Sequence, residues 1–274
     1  MNLHQSQLAT WSPVTLAESK QHSRIDIDDD DALITAHLAA AVVRGEQVTN
    51  RQFAPATWTL KLDAFPGTDT IELPKPPLLS VSSIQYVDSD GATQTFSSSD
   101  YSVDRTSEPG RVVLGFGNSW PSPRAQPDAI TITYVAGYGS VVTAVNATNV
   151  FTVATGGRTY ADNMQVRLFA VGGDVPTGLT ADTAYFIRDV SGSTFKLALT
   201  AGGTAISISS DGSGTIYIDE VPEIIKAAIK LEAAQLYENR ESIVSQVGLV
   251  TFVSNPTSDD IYRQLHILTT EWGY

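Results

Sequence analysis

The sequence predicts an α+β fold: an α-helical bundle with an antiparallel β module, carrying an inserted all-β sandwich or barrel domain. Three observations lead there. Apolar residues recur at helical spacing near both ends of the chain. They alternate with polar ones between residues 51 and 138. Between 141 and 218 the composition shifts to Thr, Ser, Gly and Ala. The framework therefore comprises residues 1–140 and 219–274, and the insertion spans 141–218.

Leu16 to Ile27 reads as polar chain, and the first helix is expected at about 29–44. Leu33, Ala36, Ala40 and Val43 are spaced for one buried face, an Asp caps the start, and Gly45 stands near the stop. The acidic run from Asp28 to Asp31 does not follow a calcium-loop pattern. With Asp26, Asp28 and Asp30 as leading ligands, Asp31 occupies the position that needs glycine and His37 the one that needs glutamate. It reads as capping and a solvated turn.

Short strands follow at Trp58–Asp63, Thr70–Leu73, Val81–Val87, Tyr101–Asp104, Arg111–Leu114 and Ile130–Val135, with a hairpin turn at Asp88–Gly91. Within the insertion, alternating runs at 149–154, 164–170, 184–190, 194–199 and 205–208 are separated by glycine pairs. The insertion is near neutral at -1, so almost all of the formal -13 lies in the framework.

The clearest helix spans about 222–241. Pro222 suits a first helical position, Glu223 complements the positive dipole end, and good helix formers fill the following turns. Its apolar face is wide, with Ile224, Ala228 and Leu231 in one row and Ile225, Ile229, Ala233 and Leu236 in a second. Ile224, Ile225, Ala228, Ile229, Leu231 and Leu236 are thus candidates for a subunit interface, with intrachain core as the alternative. Beyond an apolar arm at 242–254, a last helix is expected at 258–270. Ile261, Tyr262, Leu265, Leu268, Trp272 and Tyr274 form a candidate docking tail, or pack on their own domain.

Composition excludes several classes of function. With 30 acidic and 17 basic side chains, the chain is ill suited to gripping nucleic acid, which requires basic groups to replace counterions. The absence of cysteine removes disulfides, thiolate metal sites and cysteine nucleophiles. The N-terminal stretch has neither a basic nor an apolar region of a secretory signal, and no run is apolar and long enough for a membrane span. His4, His22, His37 and His266 lack metal-motif spacing. Gly115-Phe-Gly117 begins like a dinucleotide loop but lacks the third glycine, and there is no serine-hydrolase or phosphate-loop pattern. A pair of glycosidase carboxylates has no local support. The reading is non-enzymatic, with no cofactor or metal.

Three stretches resemble the head-tail connector (adaptor) proteins of tailed bacteriophages. They are Gly117-Asn-Ser-Trp-Pro-Ser-Pro-Arg through Ala136-Gly-Tyr-Gly139, Val221-Pro-Glu-Ile-Ile-Lys through Asn239-Arg-Glu241, and the early helix followed by Arg51-Gln-Phe53. In ordinary members the Ala-Gly-Tyr-Gly strand end runs almost directly into the Val-Pro helix, which makes 141–218 an insertion. The resemblance implies a connector fold assembled as a ring, usually dodecameric, beneath the portal at the capsid vertex. Its implied partners are further copies of itself, the portal protein, tail-side neck or stopper proteins, and DNA that passes through the lumen without sequence-specific binding. It implies a place in the neck of a virion, after synthesis in the host cytoplasm, and no membrane. The insertion is expected to project outward from the ring. The rival reading is a glycan- or host-surface-binding module, with Tyr160, Tyr185 and Phe186 of the insertion as stacking platforms.

Overall fold

The computed structural model describes residues 1–9, 11–154, 159–239, 245–246, 249–250 and 256–265. Its first element, β1 (Asn2–Gln7), is polar except for Leu3, which packs half-buried against the core of the β module. It forms because its backbone completes an edge, pairing antiparallel with β2 (Ala56–Leu62) from Asn2↔Lys61 to Gln7↔Thr57.

A helix then occupies Leu16–Ser23 (α1), where the sequence reading placed only polar chain. Thr15 and Glu18 form a capping box: the Thr15 hydroxyl accepts from the Glu18 N–H at 3.2 Å, and the Glu18 carboxylate accepts from the Thr15 N–H at 2.7 Å.

The next helix, α2 (Asp31–Thr49), runs past Gly45 and ends at Asn50 in the left-handed conformation. Its buried face is Ile34, Leu38, Ala41, Gly45 and Thr49, whereas Leu33 is half-buried and Ala36, Ala40 and Val43 are exposed. Two apolar stripes run along this helix, and spacing alone does not decide between them. Gly45 belongs to the interior because two rings pack onto it. A Cβ there would stand 2.7 Å from Phe53 Cε2 and 2.9 Å from Tyr262 Cε1. Asp30 at the N-cap makes no capping bond, and its carboxylate accepts from the Tyr237 hydroxyl at 2.6 Å.

The β module adds β3 (Thr70–Glu72), β4 (Leu78–Val87), β5 (Thr93–Thr95), β6 (Tyr101–Asp104), β7 (Arg111–Leu114) and β8 (Ile130–Ala136). One sheet has the order β1-β2-β8-β4-β5 and a smaller one the order β3-β7-β6. Leu60, Ile71, Ile84, Val112, Ile132 and Tyr134 fill the core they share. The β4–β5 hairpin turns where Asp88 Oδ1 accepts the Asp90 and Ala92 N–H groups at 3.0 and 2.9 Å.

From β9 (Gly139–Val145) the chain builds a closed barrel with β10 (Val150–Val153), β11 (Gln165–Val171), β12 (Ala184–Ser191), β13 (Thr194–Ala198) and β14 (Thr215–Asp219). Around the barrel the order is β9-β10-β13-β12-β11-β14, and β14 pairs back on β9 with Asp219 opposite Gly139. Closure leaves no free sheet edge. The run at 205–208 forms no strand of its own, only an isolated bridge from Ala205 to Ala198. Because the first and last strands pair, the chain enters and leaves the barrel at one end.

It leaves into α3 (Glu223–Glu238), followed by the short strands β15 (Ser245–Gln246) and β16 (Leu249–Val250) and by α4 (Pro256–Leu265). α3 packs between α2 and α4, and α1 covers α2 and α3. Their shared core draws Ile34, Leu38 and Ala41 from α2 and Ile225, Ala228 and Ile229 from α3. It continues into the barrel root through Phe169 and Tyr217.

Candidate functional site: the helical layer and its junctions

The stretches that carry the sequence resemblance meet in space. Arg51, nearly buried, donates from Nε to the Leu265 carbonyl at 2.8 Å, from Nη1 to the Tyr138 hydroxyl at 3.2 Å, and from Nη2 to Glu108 Oε2 at 2.6 Å. One guanidinium thus ties the end of α4, the β8–β9 junction and the β6–β7 loop together. Beside it, the Tyr138 N–H donates to the Phe53 carbonyl at 2.9 Å. Gly137, at φ 137°, lets Pro55 approach to 2.6 Å from where a Cβ would be.

Glu46 closes the same junction from α2. Its Oε1 accepts from the Phe53 N–H at 2.8 Å and from Gln52 Nε2 at 2.6 Å. Burial pushes its carboxyl from an ordinary value near 4.5 up to about 7, against the pull of those hydrogen bonds and of Lys75. The folded state therefore holds this proton more tightly than the unfolded chain does. The corresponding stability is fully present below about pH 4.5 and is lost as pH rises through about 7. Relative to Glu46→Gln, the wild-type chain is expected to lose up to about 3 kcal/mol across that window, the free-energy equivalent of the shift. Urea unfolding of both proteins at several pH values measures it, and parallel pH profiles would rule it out.

A second polar cluster binds three helices. Arg44 of α2 pairs with Glu232 of α3 and, at 2.9 Å, with Asp259 of α4, while the Ser258 hydroxyl donates to Glu232 Oε2 at 2.9 Å. Glu232 is buried, and its two carboxylate oxygens are taken up by Arg44 and Ser258. Its position seven residues beyond Ile225, on the apolar face, was a readable sign of a paired acid.

A third cluster fastens the barrel. Arg167 of β11 donates from Nη2 to Asp219 Oδ2 at 2.7 Å and to the Pro13 carbonyl at 2.6 Å. Its Nη1 donates to Asp182 Oδ1 at 2.8 Å and to the Ser12 carbonyl at 3.3 Å. The guanidinium lies 5.4 Å from the Trp11 ring, which itself stacks on Phe169 at 4.0 Å. Lys226 in the first turn of α3 reaches the same Asp219 oxygen at 2.9 Å. An arginine inside the apolar run Val166–Val171 was a readable sign of a buried pair.

The candidate interface residues divide by burial. Ile225, Ala228 and Ile229 are 0% exposed, consumed by the chain's own core, while Ile224 is 48% exposed and Leu231 and Leu236 are half-buried. In the candidate tail, Tyr262 is 0% exposed and stacks near Phe53, while Ile261 and Leu265 pack half-buried beside it. Leu268, Trp272 and Tyr274 lie outside the described residues. Of the proposed sugar platforms, Tyr185 belongs to the barrel core, Phe186 is half-buried, and Tyr160 donates its hydroxyl to Glu220 at 2.5 Å. Among the described residues, no group of three or more His, Asp or Glu is arranged to hold a metal.

No protein-family model matches the sequence, and no curated protein matches it. Solved structures do. The fold is similar to a chain in the virion of a native gene transfer agent (GTA) particle, with TM-score 0.58 and 14% identity over 100% of this chain and 99% of that one. It is also similar to a chain in the neck of the empty particle computed with C6 symmetry (TM-score 0.57, 15% identity) and to one in the neck of the native particle computed with C12 symmetry (0.56, 14%). Coverage is again 100% of this chain and 99% of the other in each case. Helical layer, β module and barrel together therefore form the fold of a full-length chain found in GTA neck structures.

Proposed function

We propose that this chain is a structural, non-enzymatic virion protein that forms a ring in the neck between portal and tail. The ring continues the DNA channel and completes the head after packaging. The observation that carries this reading is the full-length likeness to chains in neck structures computed with C12 and C6 symmetry. The sequence supports it independently, because two of the stretches that resemble connector proteins, Arg51-Gln-Phe53 and the one ending at Gly139, meet where Arg51 donates to the Tyr138 hydroxyl. In this reading 141–218 is an insertion that projects from the ring, and the portal-docking part of the tail is the segment after Leu265. An acidic lumen suits a channel through which a polyanion slides without being held.

The ring contact is assigned to apolar side chains that the helical layer leaves uncovered: Val43 of α2 is 52% and Ile224 of α3 48% exposed, with Leu231 and Leu236 half-buried on the same helix as Ile224. Burying such side chains between copies recovers hydrophobic free energy that the single chain forgoes, about 1.5–3 kcal/mol for each fully buried side chain. Val43→Asp combined with Ile224→Asp is expected to leave thermal unfolding nearly unchanged while preventing ring formation in the presence of portal protein. Electron microscopy of negatively stained assemblies reads the outcome, and rings as abundant as those of wild type would overturn the assignment.

A further inference from the structure

The sheets of the β module end in strands with one unpaired edge, and β1 is the longest of these. The parity of its ladder with β2 fixes which backbone groups stay free. The Thr57 carbonyl points at β1, since it accepts the Ser6 hydroxyl at 3.2 Å. Backbone groups alternate along a strand, so Thr59 and Lys61 turn the same way and bond His4 and Asn2 opposite them. The N–H and C=O groups of Leu3 and Gln5 therefore face outward, where none of them meets a partner among the described residues. Folded proteins ordinarily guard such an edge with charge, proline or shortness. Asn2-Leu-His-Gln-Ser-Gln7 contains no Asp, Glu, Lys, Arg or Pro, and its one guard is the bulge between Gln5 and Gln7. The other edges are better protected: β3 and β6 are short and carry Glu72 and Asp104, β5 has only three residues, and the barrel is closed.

A strand in need of a sheet lies between α3 and α4. Ser242-Ile-Val-Ser-Gln-Val-Gly-Leu-Val-Thr-Phe-Val-Ser254 is uncharged and rich in β-branched residues. Among the described residues, β15 and β16 of this arm pair only with each other. A two-stranded ribbon is marginal in water by itself, and joining a larger sheet stabilises it. In extended chain Val250 and Phe252 share one side and Thr251 takes the other. β1 has the same alternation, with Leu3 turned to the core of the module and His4 exposed. As a hairpin the arm reaches about 25 Å from the bundle, at roughly 3.3 Å per residue, far enough to cross to a neighbouring copy. We propose that the 242–254 arm of one copy adds a strand to the free edge of β1 in the next, bonding the backbone of Leu3 and Gln5. The proposal rests on the ring reading, to which it adds a sheet that continues from copy to copy beside the contact of the helical layer. Arm and edge are different surfaces, the kind of contact that propagates around a rotational ring.

A photo-cross-linker on the arm reads the contact while β1 stays unaltered. p-Benzoylphenylalanine is installed in place of Phe252, in particles assembled from a mixture of isotopically light and heavy chains and illuminated after assembly. Peptide mass spectrometry is expected to find links from the arm to the β1 segment that join light peptides to heavy ones. Gln5→Pro removes an outward N–H and none of the bonds to β2, as proline does on a sheet edge. It is expected to leave thermal unfolding nearly unchanged and to reduce incorporation into rings about tenfold, whereas Gln5→Ala, which keeps the N–H, incorporates normally. The cross-link decides the matter even where the proline variant fails to fold. Links confined to one copy, links to another part of a second copy or to another protein, no link, or full incorporation of Gln5→Pro would each overturn the proposal. Electron microscopy of the same particles keeps the two readings apart. A ring without the cross-link refutes the β1 contact alone, whereas absence of a ring refutes the function from which it was drawn.

Discussion

Replacing Arg167 with methionine is expected to destabilise the protein by about 3 kcal/mol and to free the barrel from the helical layer. Methionine preserves much of the stem volume but removes donors to Asp219, Asp182 and the carbonyls of Ser12 and Pro13. The Asp219 side chain is only 3% exposed, and losing one partner of a buried pair costs roughly 3–5 kcal/mol. The low end applies because Lys226 remains 2.9 Å from the same oxygen. Urea unfolding measures the loss, and limited proteolysis is expected to cut first at the Ser12–Pro13 segment and at the β14–α3 connection. An unchanged midpoint with an unchanged cleavage pattern would show that apolar packing alone, through Trp11, Phe169 and Tyr217, fixes the barrel.

Gly45→Val should act at the other end of the helical layer. The new side chain would meet Phe53 and Tyr262 rings that already lie closer than a Cβ tolerates, and both rings are fully buried, with no solvent-side space into which to move. Overpacking of this kind costs about 1–3 kcal/mol. Relief comes most readily by lifting α4, since that helix is short and joins the core chiefly through Tyr262. Hydrogen exchange is therefore expected to accelerate selectively at 258–265, together with loss of the Arg51 to Leu265 bond. Uniform acceleration across the chain would mean that α4 is an inseparable part of the cooperative unit.

Much of this architecture follows from local pattern. Most strands of the β module, the barrel strands β10 to β13 and α3 were legible in position and type from their periodicities, whereas the exposed β5 and the two strands that close the barrel, β9 and β14, were not placed. β1 was not, because a polar strand on a sheet edge is specified by the backbone of β2 rather than by its own side chains. α1 left a legible trace in its Thr15–Glu18 box, which the polar composition around it obscured. On α2, Leu33, Ala36, Ala40 and Val43 form a stripe as regular as the buried one through Ile34, Leu38 and Ala41, and only tertiary packing selects between them. The junctions were the least legible. Arg51, Arg167 and Glu232 gain their roles from partners far away in sequence, and no spacing rule connects Arg44 to Glu232 or Arg167 to Ser12. The candidate interface illustrates the same limit, since a wide apolar face on α3 does not say which of its rows the chain itself will cover.

The central claim is a ring in the particle neck, and immunogold electron microscopy of intact particles tests it most directly. An antibody raised against this chain is expected to place gold at the junction of head and tail. Gold along the tail tip or fibres, or none on the particles, would contradict the account.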